Sequence, residues 1–100
     1  MRATAWSNGK NQYGIRVGMK NRRLHFLTEW ESITVFIDGQ PHKFKLTSGF
    51  WNQCPEFRDS SEPVIKSWLA RQEALEWPKG KPPVFDLQPL GGNRFSLEKV

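Results

Sequence analysis

The chain lacks paired cysteines and long apolar runs, and each absence excludes a class of protein. Cys54 is the only cysteine among 100 residues, so no disulfide can form within the chain. Because small secreted domains usually depend on disulfides, we expect a cytoplasmic protein. No apolar run is longer than three residues, which is far too short to cross a bilayer or to serve as the core of a signal peptide. We therefore expect no membrane role.

Motifs for metal binding, phosphate loops and catalysis are also missing. No Cys-x-x-Cys, His-x-x-x-His or Gly-Lys-Ser/Thr sequence occurs, so we expect no metal and no cofactor. The one nucleophile hypothesis pairs Cys54 with His25 or His42 as base, but a lone cysteine beside aromatic residues is more typical of packing. A two-metal nuclease site needs several carboxylates that converge on the metal ions. The candidate carboxylates are Glu29, Glu31, Asp38, Glu56, Asp59 and Asp86. No lysine at short spacing accompanies them, so the sequence gives this site no further support. The sequence favours a chain that binds rather than catalyses.

What the chain does contain is the two-residue alternation typical of half-buried strands. Residues 1–12 are polar and are predicted to form a flexible arm that precedes a single domain over 13–100. Alternation then predicts strands over 13–19 and 24–28. An Asp-Gly turn between strands 33–38 and 42–47 predicts a hairpin.

The second half of the chain carries the helical signals. A short helical turn is expected before Pro55, and the main helix is predicted over about 61–77, capped by Ser61 and ended by Pro78. Its apolar stripe consists of Val64, Ile65, Trp68, Leu69, Gln72 and Leu75. A final hairpin is expected from strands 84–87 and 94–97.

These elements predict an α+β domain with an antiparallel sheet of five to six strands and one main helix packed on it. We expect Trp68 and Leu69 of that helix to lie against strand residues, namely Val35, Ile37, Phe44 and Leu46. The alternative is a strongly bent, barrel-like sheet, because many short strands separated by Gly and Pro also fit that form.

The net charge of +5 is carried by one half of the sequence. Residues 1–50 hold eight Lys and Arg against three acids, whereas residues 51–100 hold seven of each sign. The alternation places the basic side chains opposite the core, and the predicted nucleic-acid-binding residues are Arg16, Lys20, Arg22, Arg23, Lys43 and Lys45. Aromatic side chains that offer surfaces for unpaired bases are Trp6, Tyr13 and Trp30. A basic patch of this kind predicts phosphate-backbone binding.

Two other interpretations of the same residues stay open. Lysine and arginine are also the ordinary composition of a solvated sheet face, and this net charge is common in small soluble domains. The aromatic residues Trp51, Phe57 and Trp77 would instead serve a protein-interaction module, including a homodimer interface.

Overall fold

The computed structural model describes residues 1–100 and contains seven strands and three short helices. The strands are β1 (Arg2–Ser7), β2 (Tyr13–Arg16), β3 (Ser32–Ile37), β4 (Gln40–Lys45), β5 (Glu56–Arg58), β6 (Val84–Gly91) and β7 (Arg94–Lys99). The helices are α1 (Met19–His25), α2 (Ser48–Trp51) and α3 (Val64–Arg71). The α+β class is confirmed, and the expected five or six strands with one main helix are corrected.

One strongly curved sheet contains all seven strands in the order β4-β3-β7-β6-β1-β2-β5. Neighbouring strands are antiparallel except for β3 and β7, which pair in parallel, with Ile37 opposite Leu97. The expectation of a purely antiparallel sheet is therefore wrong. The parallel pair arises because the β6–β7 hairpin returns beside β3, a long-range choice that local alternation does not encode.

Both predicted hairpins are confirmed. Asp38 and Gly39 form the two-residue turn between β3 and β4, with positive φ values of 52° and 79°. These values match the mirror-image turn whose twist suits a hairpin. The β6–β7 hairpin turns at Gly92-Asn93, and its register shifts between Pro89 and Gly91.

The predicted flexible arm over residues 1–12 is wrong, because residues 2–7 form β1 inside the sheet. This strand pairs with β6 and β2, and it buries Ala3 and Ala5. Alternation was present in the sequence, but alanine side chains are small and the residues between them are polar. The segment therefore resembled a tail.

The predicted second strand over 24–28 is also wrong, because residues 19–25 form α1. Gly18 precedes this helix with φ 85°, a conformation that ends the extended segment. No residue of α1 is buried, so an apolar stripe was not available to identify it. Within the predicted strand only Phe26 is buried, and it stacks on Phe95 at 4.8 Å.

The main helix is shorter than the predicted 61–77. It ends at Arg71, and Glu73 adopts φ 55°, so the chain leaves the helix before Pro78. Ser61 is not its cap. The buried Asp59 carboxylate accepts the N–H groups of Ile65 (2.7 Å) and Lys66 (2.9 Å) instead.

The curved sheet wraps one apolar core that includes α3. Ile65, Trp68 and Leu69 of α3 are buried with side chains from every strand. The Trp68 ring meets Phe85 of β6 edge to face at 4.7 Å, a partner that the sequence did not predict. The four expected partners from β3 and the β4 region lie in the same core. None of the three helices has the length or the hydrophobicity of a membrane-spanning segment.

Candidate nucleic-acid interface

The sheet almost closes on itself, and the gap between its two edge strands, β4 and β5, is called the seam here. Phe44 and Phe57 meet across the seam inside the core, with ring centroids 5.0 Å apart. The backbones of β4 and β5 nevertheless form no ladder with each other. The seam is therefore apolar on its inner side and unpaired along its backbone edges.

Hydrogen-bond alternation identifies which backbone groups face the seam. Leu46 donates its N–H to the Glu31 carbonyl (2.9 Å), so alternate residues of β4 bond to β3. The residues between them, Lys43 and Lys45, direct their N–H and C=O groups away from β3. On the other edge, the Asp59 N–H donates to the Tyr13 carbonyl of β2. Alternate residues of β5 therefore bond to β2, and the backbone N–H and C=O of the intervening Arg58 point toward the seam.

A polar groove of about 610 Å³ follows the outer side of the seam. Lys43 and Lys45 of β4 line one side, Glu56 and Arg58 of β5 line the other, and Phe44 is the one hydrophobic lining residue. Lys43 and Lys45 are exposed and take part in none of the ion pairs of the molecule. Their charges are thus available to a ligand.

Glu56 lies in the wall of this groove but is only 4 % exposed. Its Oε1 accepts a hydrogen bond from Arg58 Nη2 at 3.0 Å. Its Oε2 lies 3.9 Å from Arg16 Nη1 and accepts no hydrogen bond. One buried carboxylate therefore holds two guanidinium groups together, and the cluster carries a net positive charge.

The position of Arg58 is fixed by a row of residues across three strands. Trp6 of β1 lies opposite Gly14 of β2, and Gly14 lies opposite Arg58. A side chain at Gly14 would clash, because its Cβ would lie 2.4 Å from the Phe57 carbonyl oxygen. Because Gly14 has no side chain between them, the Arg58 guanidinium contacts the Trp6 ring, at 4.2 Å from the ring centroid. One face of Trp6 is thereby covered by Arg58 and is not available for base stacking.

The structure divides the six predicted nucleic-acid-binding residues, of which Arg16, Arg23, Lys43 and Lys45 were expected on one sheet face with Lys20 and Arg22 at its rim. Arg16, Lys43 and Lys45 lie on strands: Lys43 and Lys45 line the seam groove, and Arg16 is ion-paired with Glu56 in the groove wall. The remaining residues are Lys20, Arg22 and Arg23, which lie on α1 and not on a strand. The prediction of a continuous basic sheet face is therefore corrected to a smaller patch at the seam and a separate basic helix.

Arg22 has a structural role. Its Nη1 donates to the carbonyls of Phe50 (2.9 Å) and Asn52 (3.1 Å) at the end of α2, and the guanidinium lies 6.0 Å from the Trp51 ring centroid. Two of its donors are thus used within the fold, and we remove Arg22 from the binding patch.

Arg58 is the seam residue that sequence reasoning missed. It lies in a strand of three residues, Glu56 to Arg58, which is too short for alternation to be recognised. The available signal was the sequence Glu-Phe-Arg, in which a buried aromatic residue separates two charges. Pro55 and the expected loop concealed it.

The three aromatic residues predicted to bind a partner do not form one surface. Phe57 is 1 % exposed and belongs to the core, so it cannot contact a partner. Trp77 is half-buried beside Tyr13 at the start of β2, with ring centroids 6.5 Å apart. Trp51 is half-buried in α2 against Phe50, at a ring distance of 5.0 Å.

No group of three or more His, Cys, Asp and Glu residues is placed to hold a metal ion. Cys54 is half-buried, and its N–H donates to the Gly49 carbonyl at 2.8 Å.

Comparisons with protein-family models, curated proteins and solved structures find no match for this chain. The class of this protein is therefore defined by its fold and by the groove along the seam. It is a small basic α+β domain with an almost closed mixed sheet and, along the seam, a polar groove lined by charges of both signs.

Proposed function

We propose that this chain is a binding module without catalytic activity that holds single-stranded nucleic acid along the seam. The observation that carries the proposal is that Lys43 and Lys45 of β4 and Arg58 of β5 line one polar groove, with Arg16 of β2 ion-paired to Glu56 in its wall. A phosphate backbone is the common ligand that such spaced cations match.

The local charge balance favours an anionic ligand. Glu56 neutralises about one of the two guanidinium groups beside it. Asp59 also lines the groove, but its carboxylate is engaged by the first turn of α3. Lys43 and Lys45 have no such partners, and Glu31 is the one remaining acid in the lining. Once Glu31 is counted against one of them, about two cationic charges are left for phosphates, which predicts a logarithmic salt slope of about −1.4 for a single strand.

The test is fluorescence anisotropy of a labelled oligonucleotide of about twelve nucleotides, titrated at several salt concentrations. We expect affinity to fall with salt at the predicted slope. The double variant Lys43→Ala/Lys45→Ala should bind more than tenfold more weakly and show a shallower slope.

A matched control removes the same charge elsewhere. Lys79 and Lys81 are exposed in the connector before β6 and do not line the groove. The variant Lys79→Ala/Lys81→Ala should bind almost as well as the wild type. Equal weakening by both double variants, or no binding at low salt, would contradict the proposal.

The unpaired edges of β4 and β5 favour a second candidate function, which is protein interaction by strand addition. Backbone groups of Lys43, Lys45 and Arg58 face the seam and would pair with an extended segment, including one from a second copy of the chain. Light scattering tests the homodimer, because the monomer has a mass of 11.6 kDa. A mass twice as large that falls when Lys43 is replaced by Pro would support this candidate.

A further inference from the structure

The two ends of the seam groove differ in charge. Five of the six strand pairings that connect β4 to β5 through the sheet are antiparallel, so β4 and β5 run in opposite directions across the seam. Lys45 therefore lies where β5 begins, and Lys43 lies where β5 ends at Arg58. The end beside Lys45 carries Glu31, an exposed acid that forms no ion pair and repels phosphates. A bound strand longer than the seam is therefore expected to continue past the other end.

At that other end the groove meets two further depressions, and Ser60 lines all three. One of the two carries the exposed acid Glu62. The other, called the loop depression here, is lined by residues 10–12 of the β1–β2 loop and by residues between Asp59 and Lys66. It has a volume of about 450 Å³ and is continuous with the seam groove, because the two have three lining residues in common.

Hydrogen bonds hold the β1–β2 loop in place. Asn8 Oδ1 accepts the N–H groups of Lys10 (2.7 Å) and Gln12 (3.1 Å), which fixes the shape of the loop. The Gln12 side chain donates to the Asp59 carbonyl (3.3 Å) directly after β5. The loop is thus tied to the segment that forms this end of the seam, and its own bonds place Lys10 at the loop depression.

The lysines of the loop depression are free of acidic partners. Neither Lys10 nor Lys66 takes part in an ion pair. Lys66 Nζ donates to Asn11 Oδ1, which leaves two of its three N–H donors for another acceptor. The one acid in the lining is Asp59, and both of its carboxylate oxygens accept backbone N–H groups of α3. The loop depression therefore has a net positive charge.

We infer that a nucleic-acid strand longer than the seam continues past Ser60 into the loop depression, where Lys10 and Lys66 bind its phosphates. This inference rests on the proposed function. The path follows the charge, since Glu31 disfavours one end of the seam and Glu62 disfavours the second branch at the other end. The seam alone accounts for a salt slope of about −1.4, and two more cations steepen the slope to about −2.8 for a strand that reaches them.

The closing experiment compares thymidine oligomers of about four and twelve nucleotides by fluorescence anisotropy at several salt concentrations. We expect the longer oligomer to show the steeper slope, because only that oligomer spans both the seam and the loop depression. The variant Lys10→Ala/Lys66→Ala should bind the longer oligomer more than tenfold more weakly and return its slope to about −1.4. Binding of the shorter oligomer should weaken by less than about threefold.

Two control variants assign the effect to this path. Lys79→Ala/Lys81→Ala removes the same charge outside the groove and both depressions, and it should leave binding of either oligomer almost unchanged. Glu62→Gln should also have almost no effect, because the strand does not pass Glu62. Tighter binding of the longer oligomer by Glu62→Gln, with no loss in Lys10→Ala/Lys66→Ala, would show that the strand takes the other branch and would overturn the inference.

Failure of this inference is distinguishable from failure of the proposed function. Weaker binding by Lys43→Ala/Lys45→Ala but not by Lys10→Ala/Lys66→Ala overturns the inference and leaves the seam proposal standing. A slope of about −1.4 for both oligomers has the same meaning. Absence of binding by either oligomer overturns both proposals. Circular dichroism checks that each variant is folded, and Lys10→Gln/Lys66→Gln, which removes the charges but keeps a donor for Asn11, replaces the alanine variant if that variant does not fold.

Discussion

Helices α1 and α3 are similar in length, at seven and eight residues, but they are held in place by different interactions. Helix α3 buries Ile65, Trp68 and Leu69 in the core. Helix α1 buries nothing and is anchored by polar side chains, since Asn21 Nδ2 donates to the carbonyls of Arg2 (3.0 Å) and Val17 (3.1 Å) and Arg22 reaches α2. A short helix therefore does not need an apolar stripe when a few side chains bind neighbouring carbonyls.

The largest expected effect comes from removing the apolar anchor of α3. Trp68 is 2 % exposed and packs on Phe85, so Trp68→Ala should lower the free energy of unfolding by about 3–5 kcal/mol. Urea denaturation followed by circular dichroism measures the loss. Trp68→Phe is the control and should lose clearly less. A loss below about 1 kcal/mol for the alanine variant would show that α3 does not depend on burial.

The next effect concerns the polar cap of α3. Asp59→Ala leaves the N–H groups of Ile65 and Lys66 without their acceptor, at a cost of about 1–3 kcal/mol. The same denaturation experiment measures it. Ser61→Ala is the matched control, because Ser61 is exposed and makes no capping hydrogen bond, and it should change stability by less than about 0.5 kcal/mol.

The cap also predicts a pH dependence. Burial raises the pKa of the Asp59 carboxyl above its ordinary value of 3.8, although the N–H groups of Ile65 and Lys66 act in the opposite direction. The folded state therefore binds this proton more tightly than the unfolded state, and the stability contributed by Asp59 falls as the pH rises from 3.8 through the raised pKa. The stability difference between wild type and Asp59→Ala should be larger at the acid end of that range. A difference that grows with pH would contradict the raised pKa.

The contrast between the helices also explains how much of the fold was predictable. The turn at Asp38-Gly39 and the stripe through Trp68 and Leu69 are local signals, so the β3–β4 hairpin and the centre of α3 could be predicted. The anchors of α1 are long-range, since Asn21 binds Arg2 and Arg22 binds Phe50. Hydrogen bonds between residues so far apart in the chain leave no periodic pattern in the sequence, so α1 could not be predicted from it.

The candidate site divides in the same way. Alternation within β4 was enough to place Lys43 and Lys45 together on the outward face. Arg58 joins them only because β5 pairs with β2 and the sheet then curves until β5 approaches β4. That approach depends on the order of strands in the sheet, which the sequence pattern does not specify.

A smaller effect is expected from the polar anchor of α1. Arg22→Ala removes two partly exposed hydrogen bonds and should cost about 1 kcal/mol. Hydrogen exchange is the sharper measurement, because the α1 amides should exchange faster while those of α3 stay protected. Arg23→Ala is the control, since Arg23 is exposed and makes no hydrogen bond. Equal acceleration in both helices would show that the two are not independent.

The smallest effect is expected at the outer face of α1. Leu24 is 65 % exposed, so Leu24→Gln should change the free energy of unfolding by less than about 0.5 kcal/mol. The same substitution at Leu69, which is 0 % exposed in α3, buries an amide in the core and should cost several times more. Chemical denaturation of the two variants measures the contrast directly. If Leu24→Gln costs more than about 1 kcal/mol, α1 is held by apolar packing after all, and the distinction between the two helices fails.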